Sequence, residues 1–342
     1  MTINKIFVYL FIIMLIAVPA SASDATLNRW VLNVTLNEDG IVDELIQVEI
    51  GNAGSSPMDG FSFVVPASSV TVIYDFDHTY SSKGEVVVEQ LKVQNGIKLT
   101  VNFNPSLNSG ETWNGRIGFR AENFAKISGD NYTIEIPLSG PQAIASGKTT
   151  DMNISPDVDL RGQVFLPKGI EVVSVTPKPF RILFQNSLMV PTWTPMNLKI
   201  TDTISLKGSV SNVLKKIADV DERSKNLSKR IREANTTGLD VGEAQMHLKN
   251  AEDYNTNNQN SALVFFLNKD DKSALEFVGY AENELNLAEK SFSSAGKTQI
   301  TPTETVMVTP EKSPAPGAEY LVLIIMSSFM VLRTKRPKVN VH

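Results

Sequence analysis

Glu85-Val-Val-Val-Glu-Gln-Leu-Lys-Val93, then Gln94-Asn95-Gly96, then Ile97-Lys-Leu-Thr-Val-Asn-Phe103: two apolar-alternating runs flank an Asn-Gly pair. Alternation with a period of two puts one face of each run in a core and the other in water. Asn95-Gly96 tolerates the positive φ angles of a two-residue type I′ turn, so the stretch is read as a β-hairpin. Upstream, Trp30 to Leu36, Ile41 to Ile50, Gly60 to Val65 and Val70 to Phe76 alternate or run apolar, with β-branched and aromatic residues in excess. Downstream, Arg116 to Phe119 and Tyr132 to Ile136 continue the pattern. No helix-length amphipathic segment separates these runs, which favours an antiparallel sandwich over a parallel sheet.

A break at Ser139-Gly140-Pro141 opens further strands: Leu160 to Leu166, Ile170 to Val175, Phe180 to Phe184, Leu188 to Trp193 and Leu198 to Leu206. Both stretches carry a strand ending in proline (Phe61 to Pro66; Val164 to Pro167) followed by Val-rich strands, and the wording resembles the repeated β-sandwich modules of archaeal surface proteins. The reading places one sandwich module over 23–140 and a second β module over 141–207, with one larger sandwich as the alternative.

At Ser209 the period changes. Val213, Ile217, Val220, Ser224, Leu227, Ile231 and Ala234 step alternately by four and three, an a/d seam with one polar member. Thr236-Thr237-Gly238 ends this helix, and Asp240 with Glu243 reads as a capping box opening the next. An Asn-rich stretch at 255–260 and a turn at Asn268-Lys-Asp-Asp271 precede a third helix through Phe292. Short turns between helices predict an antiparallel helical hairpin over 208–295, of two or three helices, with Val213, Ile217, Val220, Leu227 and Ile231 as its coiled-coil seam. The fold class is therefore multidomain β + α, completed by a Pro/Thr linker and a C-terminal transmembrane segment.

The ends carry the address. Lys5, the 13 apolar residues Ile6 to Val18 and then Pro19-Ala20-Ser21-Ala22 read as a signal peptide over 1–22, cleaved between Ala22 and Ser23. Thr and Pro dominate 296–317, an extended spacer; an apolar run over 318–333 and a basic tail over 334–342 follow, and bases there remain cytoplasmic. This order resembles archaeal C-terminal sorting signals of the PGF-CTERM type: Pro316 and Gly317 match the family's first two positions, while Ala318 stands in place of Phe. The resemblance implies processing by an archaeosortase and replacement of the tail by a lipid; an ordinary single-span anchor is the alternative. Either way the membrane is a partner and the bulk of the chain is exported to the cell surface.

Composition narrows the chemistry. The 342 residues are 42% hydrophobic and 20% charged with no cysteine, which excludes disulfide scaffolds, thiolate metal sites and catalytic thiols. Five of the 32 Lys and Arg (Lys5, Arg333, Lys335, Arg336, Lys338) sit at the ends, leaving 27 against 37 Asp and Glu, so nucleic acid is not a predicted partner. The three histidines, His78, His247 and His342, form no H-E-x-x-H spacing. Asp75, Asp77 and His78, the acids Glu38, Asp39, Asp43 and Glu44, and Asp151 with Asp157 and Asp159 are carboxylate groupings better read as solvated polar residues than as metal sites. Trp113, Trp193, Tyr74 and Tyr80 are weighed as a sugar-stacking platform against core packing, the commoner fate. Sequons at Asn33, Asn131, Asn153, Asn226 and Asn235 are glycosylation candidates. No catalytic, cofactor or metal residue is assigned. The reading is a membrane-anchored surface structural or interaction protein without catalysis, with a surface-layer or envelope protein as possible partner. The alternative is an accessory envelope subunit that presents or binds glycan.

Overall fold

The computed structural model describes residues 25–73, 79–84, 86–138 and 140–298. The signal cleavage residues Ala22 and Ser23, the sorting residues Pro316 and Gly317, and the Asp75, Asp77 and His78 grouping lie outside the described residues. The chain divides into two units, Met1–Ile300 and Thr301–His342, and the first is described below.

Its strands are β1 (Ala25–Leu36), β2 (Val42–Asn52), β3 (Met58–Val65), β4 (Ser69–Ile73), β5 (Tyr80–Ser81), β6 (Val87–Val93), β7 (Gly96–Leu107), β8 (Thr112–Glu122), β9 (Lys126–Ser128), β10 (Asn131–Pro137), β11 (Gln142–Ala145), β12 (Lys148–Asp151), β13 (Asn153–Phe165), β14 (Ile170–Thr176), β15 (Arg181–Gln185), β16 (Leu188–Trp193) and β17 (Thr203–Val210). They form a large sheet ordered β15-β16-β13-β1-β2-β8-β4 with β5 beside β8, a five-stranded sheet β12-β11-β3-β7-β6 and a four-stranded sheet β14-β17-β10-β9. Pairing is antiparallel except between β1 and β13, which run parallel. These two strands are far apart in the chain, so no hairpin dictates their direction. Strands from both sides of the 140/141 break share the large sheet through β1–β13 and the four-stranded sheet through β10–β17.

Both smaller sheets pack on one face of the large one. Trp30 and Leu32 of β1 stand in register with Leu160 and Gly162 of β13, all buried. Phe63 of β3 meets Trp30 edge-on at 5.5 Å and Phe119 at 6.2 Å, and Phe61 meets Trp113 at 5.4 Å. Further along the same face, a Cβ on Gly162 would lie 3.5 Å from Ile204 Cδ1 of the four-stranded sheet. Each such buried aromatic stabilises by about 2–3 kcal/mol.

The hairpin of β6 and β7 forms, with one change of register. Val93 pairs with Gly96, so the two-residue turn is Gln94-Asn95 and not Asn95-Gly96. Gly96 has φ 138°, and a Cβ there would lie 2.1 Å from the Val65 carbonyl oxygen. Close approach to the end of β3, more than the turn, requires the glycine.

Helix α1 (Asn212–Thr236) follows β17 directly, with the Ser211 hydroxyl accepting from the Leu214 amide at 3.3 Å. Then come α2 (Gly242–Glu252), a π-helical turn (Asp253–Asn257), α3 (Ala262–Leu267) and α4 (Asp271–Thr298). The predicted capping box differs: Asp240 accepts from the Gly242 amide at 3.2 Å, while Val241 holds the cap position without a side-chain bond. Val213, Ile217, Val220, Leu227 and Ile231 all lie on the buried stripe of α1. Lys168 joins the β region to α1 through Asp219 at 2.7 Å and Glu222 at 2.5 Å, and the Ser187 hydroxyl donates to Asp221 at 2.6 Å. Among the described residues no helix is long and apolar enough to cross a membrane.

Candidate functional site

The site grows from the end of β11. β3 pairs with β7 as far as Val65, but with β11 only over Gly60–Ser62, because the chain leaves the sheet at Pro141, which has no amide hydrogen to donate. Among the described residues, Phe63 to Val65 therefore carry a strand on one side only. Beside this edge lies a cleft of about 560 Å³, bounded by Ser62, Val64 and Pro66 on one side, Pro137, Gly140 and Gln142 on another, and Lys98 and the Gln94-Asn95 turn on a third.

Strand alternation gives the edge two faces. Phe61 and Phe63 turn inward to the aromatic core, so Ser62 and Val64 lie on the opposite face of β3, along the cleft wall, in register with Thr100 and Lys98 of β7. Ser62 is 1% exposed, and its hydroxyl has no hydrogen-bond partner among the described residues. Gln142 is held by its amide donating to Asp151 at 2.9 Å. Val87 and Leu91 of β6, 46% and 63% exposed, extend the outward face.

Beneath the cleft, sharing Phe63, Val64, Pro66 and Pro137 with it, is a cavity of about 20 Å³, room for about one water. All three sheets contribute to its wall: Trp30, Leu32 and Ile46 from the large sheet, Phe63 and Val65 from β3, and Ile136 and Pro137 from β10. The polar side chain in this wall is Glu44 of β2. It pairs across the sheet with Val34 and Phe119, is 7% exposed, and makes neither hydrogen bond nor ion pair among the described residues. Burial without a partner pushes its carboxyl up to about 8. A carboxyl of this kind is neutral at pH 7 and ionises readily once a cation arrives.

Charge alone groups Glu44 with solvated loop acids, and the structure separates it from them. Its neighbour Asp43 points outward and takes a two-pronged bond from Arg120, at 2.7 Å from Nε and 3.0 Å from Nη2. Asp159 binds Arg29 at 3.3 Å and Arg161 at 2.6 Å. Among the described residues no group of three or more His, Asp or Glu stands close enough to hold a metal ion. Trp113 and Trp193 are core residues, 1% and 0% exposed, whose indole N–H groups donate to the Ser81 hydroxyl at 2.9 Å and the Pro177 carbonyl at 2.8 Å. They offer no stacking platform; Tyr80 is exposed, with the Arg116 guanidinium 5.7 Å from its ring centre. Of the sequon asparagines, Asn131, Asn153, Asn226 and Asn235 are exposed, and Asn33 is half-buried in the middle of the large sheet.

His247 lies in the helices, 2.8 Å from Glu284 through Nδ1, and Asn250 donates to the same carboxylate at 3.0 Å. The His247 hydrogen bond holds the Glu284 carboxyl below the usual range.

No family model matches the sequence, and no curated protein matches it. Among solved structures, the chain is similar to an M1 zinc metallopeptidase from Deinococcus radiodurans, at 13% identity and a TM-score of 0.35, over 54% of this chain and 42% of that one. It is similar to yeast LTA4 hydrolase at 13% identity and a TM-score of 0.35, over 63% and 38%. The chain thus spans less than half the length of each. These neighbours are enzymes, and on that finding the expectation of a surface structural protein that does no catalysis, or of a glycan-presenting accessory subunit, is corrected. A partial likeness of this size assigns neither zinc nor peptidase activity to this chain.

Proposed function

We propose that the β region is a peptide-binding module that takes an extended segment onto the bare edge of β3 within the cleft. The observation that carries the reading is where β11 stops pairing with β3: three residues of a core strand lack a second neighbouring strand among the described residues, where a cleft of about 560 Å³ begins. A strand laid there gains main-chain hydrogen bonds, and the alternating surfaces select its side chains. Outward residues meet Val64, Pro66 and Pro137, with the Lys98 cation available to an acidic group. Export, read from the sequence of 1–22, is a separate proposal and is tested by sequencing the mature N-terminus.

The module is tested by selecting displayed random dodecapeptides on the full chain and measuring their affinity for a Val64→Trp variant, in which an indole fills the cleft from the solvent side. Enriched peptides that lose tenfold or more in affinity support the reading. Peptides that bind the variant as well as the parent overturn it.

A further inference from the structure

The cavity beneath the cleft has a chemistry that strand addition alone does not use. We propose that it is a subsite for an alkylammonium group with Glu44 as the counter-ion, filled by a lysine side chain of the segment bound on β3. The inference deepens the strand-addition reading and rests on it for the source of the amine.

The argument begins with the cost of Glu44. A carboxyl placed among Trp30, Leu32, Ile46 and Phe63 with no partner is a standing penalty, and an apolar residue at this inward position would remove it. What the position provides is one acceptor beside one atom-sized space. That space, about 20 Å³, fits a single heavy atom with several hydrogens to donate. A primary ammonium nitrogen is such an atom, and its alkyl stem suits the apolar wall of Phe63, Val64, Pro66 and Pro137 that cavity and cleft share. Side chains of a strand added to β3 alternate between cleft and core, so every second one is aimed at this shared wall.

Among the described residues no other charged or titratable side chain faces Glu44. The wall from β1 and β2 is Trp30, Leu32 and Ile46; the walls from β3 and β10 and the loop residue Phe124 are apolar, and Lys98 lines the cleft rather than the cavity. Binding therefore has a simple proton balance: the Glu44 carboxyl releases its proton to solvent, the ammonium keeps its three, and a carboxylate–ammonium pair forms in the cavity.

The test titrates n-butylammonium chloride into the full chain by calorimetry at pH 6, 7 and 8, in two buffers of different ionisation enthalpy, against n-butanol as the uncharged isostere. The subsite predicts saturable one-to-one binding that tightens about tenfold from pH 6 to 7 and about fivefold from pH 7 to 8 and releases up to one proton, with no such binding in Glu44→Gln. Equal binding by the parent and Glu44→Gln, equal binding of n-butanol, or an affinity independent of pH overturns it. A second arm tells a lysine side chain of the bound segment from a free alkylamine. Display-selected peptides that lose tenfold or more when their lysine becomes norleucine place a lysine in the subsite. Peptides that bind the β3 edge equally well with norleucine overturn the lysine assignment and leave strand addition standing.

Discussion

Replacing Glu44 with glutamine makes the chain progressively more stable than the parent as the pH rises, and the structure fixes the size and sign of the effect. The folded-state pKa of about 8 lies above the ordinary 4.5. Between those values the unfolded chain has given up a proton that the folded chain keeps, so the stability of the parent falls with rising pH. The slope is about 1.4 kcal/mol per pH unit, for a total of about 3–5 kcal/mol by pH 8, and no further loss from this group occurs above that. The glutamine of the variant has nothing to ionise. Its amide fills nearly the same volume, so the two proteins should lie within about 1 kcal/mol of each other at pH 4.5 and diverge by about 3–5 kcal/mol at pH 8. Urea unfolding from pH 4 to 9, followed by tryptophan fluorescence, gives the two curves. Glu252 is also raised, by its own desolvation and by Asp221 and Asp253, and it bends both curves alike, so their difference isolates Glu44. Parallel curves would refute the reasoning.

Other perturbations follow from the same contacts. Ser224 sits in the α1 seam at 2% exposure with a hydroxyl that has no partner among the described residues, so Ser224→Ala should stabilise by about 1 kcal/mol in denaturant titration. Gly96→Ala should destabilise by about 2–4 kcal/mol, since its Cβ meets the Val65 carbonyl at 2.1 Å; a thermal midpoint unchanged from the parent would contradict the close approach. Glu284→Gln should cost about 1 kcal/mol or less near neutral pH, because the pair with His247 keeps some solvent contact. The Glu284 carboxyl is lowered by His247, so its contribution is present above the ordinary carboxylate pKa and fades as pH falls through the lower folded value; acid unfolding of parent and variant should converge there.

The strands and helices are largely legible in the sequence because burial follows simple periods. The alternation of Val42, Ile46, Val48 and Ile50 names the inward face of β2, and the a/d steps of Val213 to Ala234 name the inward face of α1. The same arithmetic points at the site. Glu44 fills the one gap in the Val42 to Ile50 series, so parity alone puts it in the core, while grouping it with Asp43 by charge hides that signal. Pro141 likewise marks where β11 must leave its neighbour. The parallel β1–β13 pair, and the meeting of β3 with β10 over Glu44, depend on contacts between distant segments that no local pattern encodes. The short polar strand Lys148–Asp151 escapes a sequence reading for a related reason: it is exposed, and only pairing with β11 makes it a strand.

Hydrogen exchange on the full chain, with and without a display-selected peptide, tests the central claim most directly. Strand addition predicts new protection at those of the Phe63 to Val65 amides that face away from β7 and at amides within 136–142, and none at the exposed edge of β15. Protection confined to the helices or to β15, with 63–65 unchanged, would contradict it.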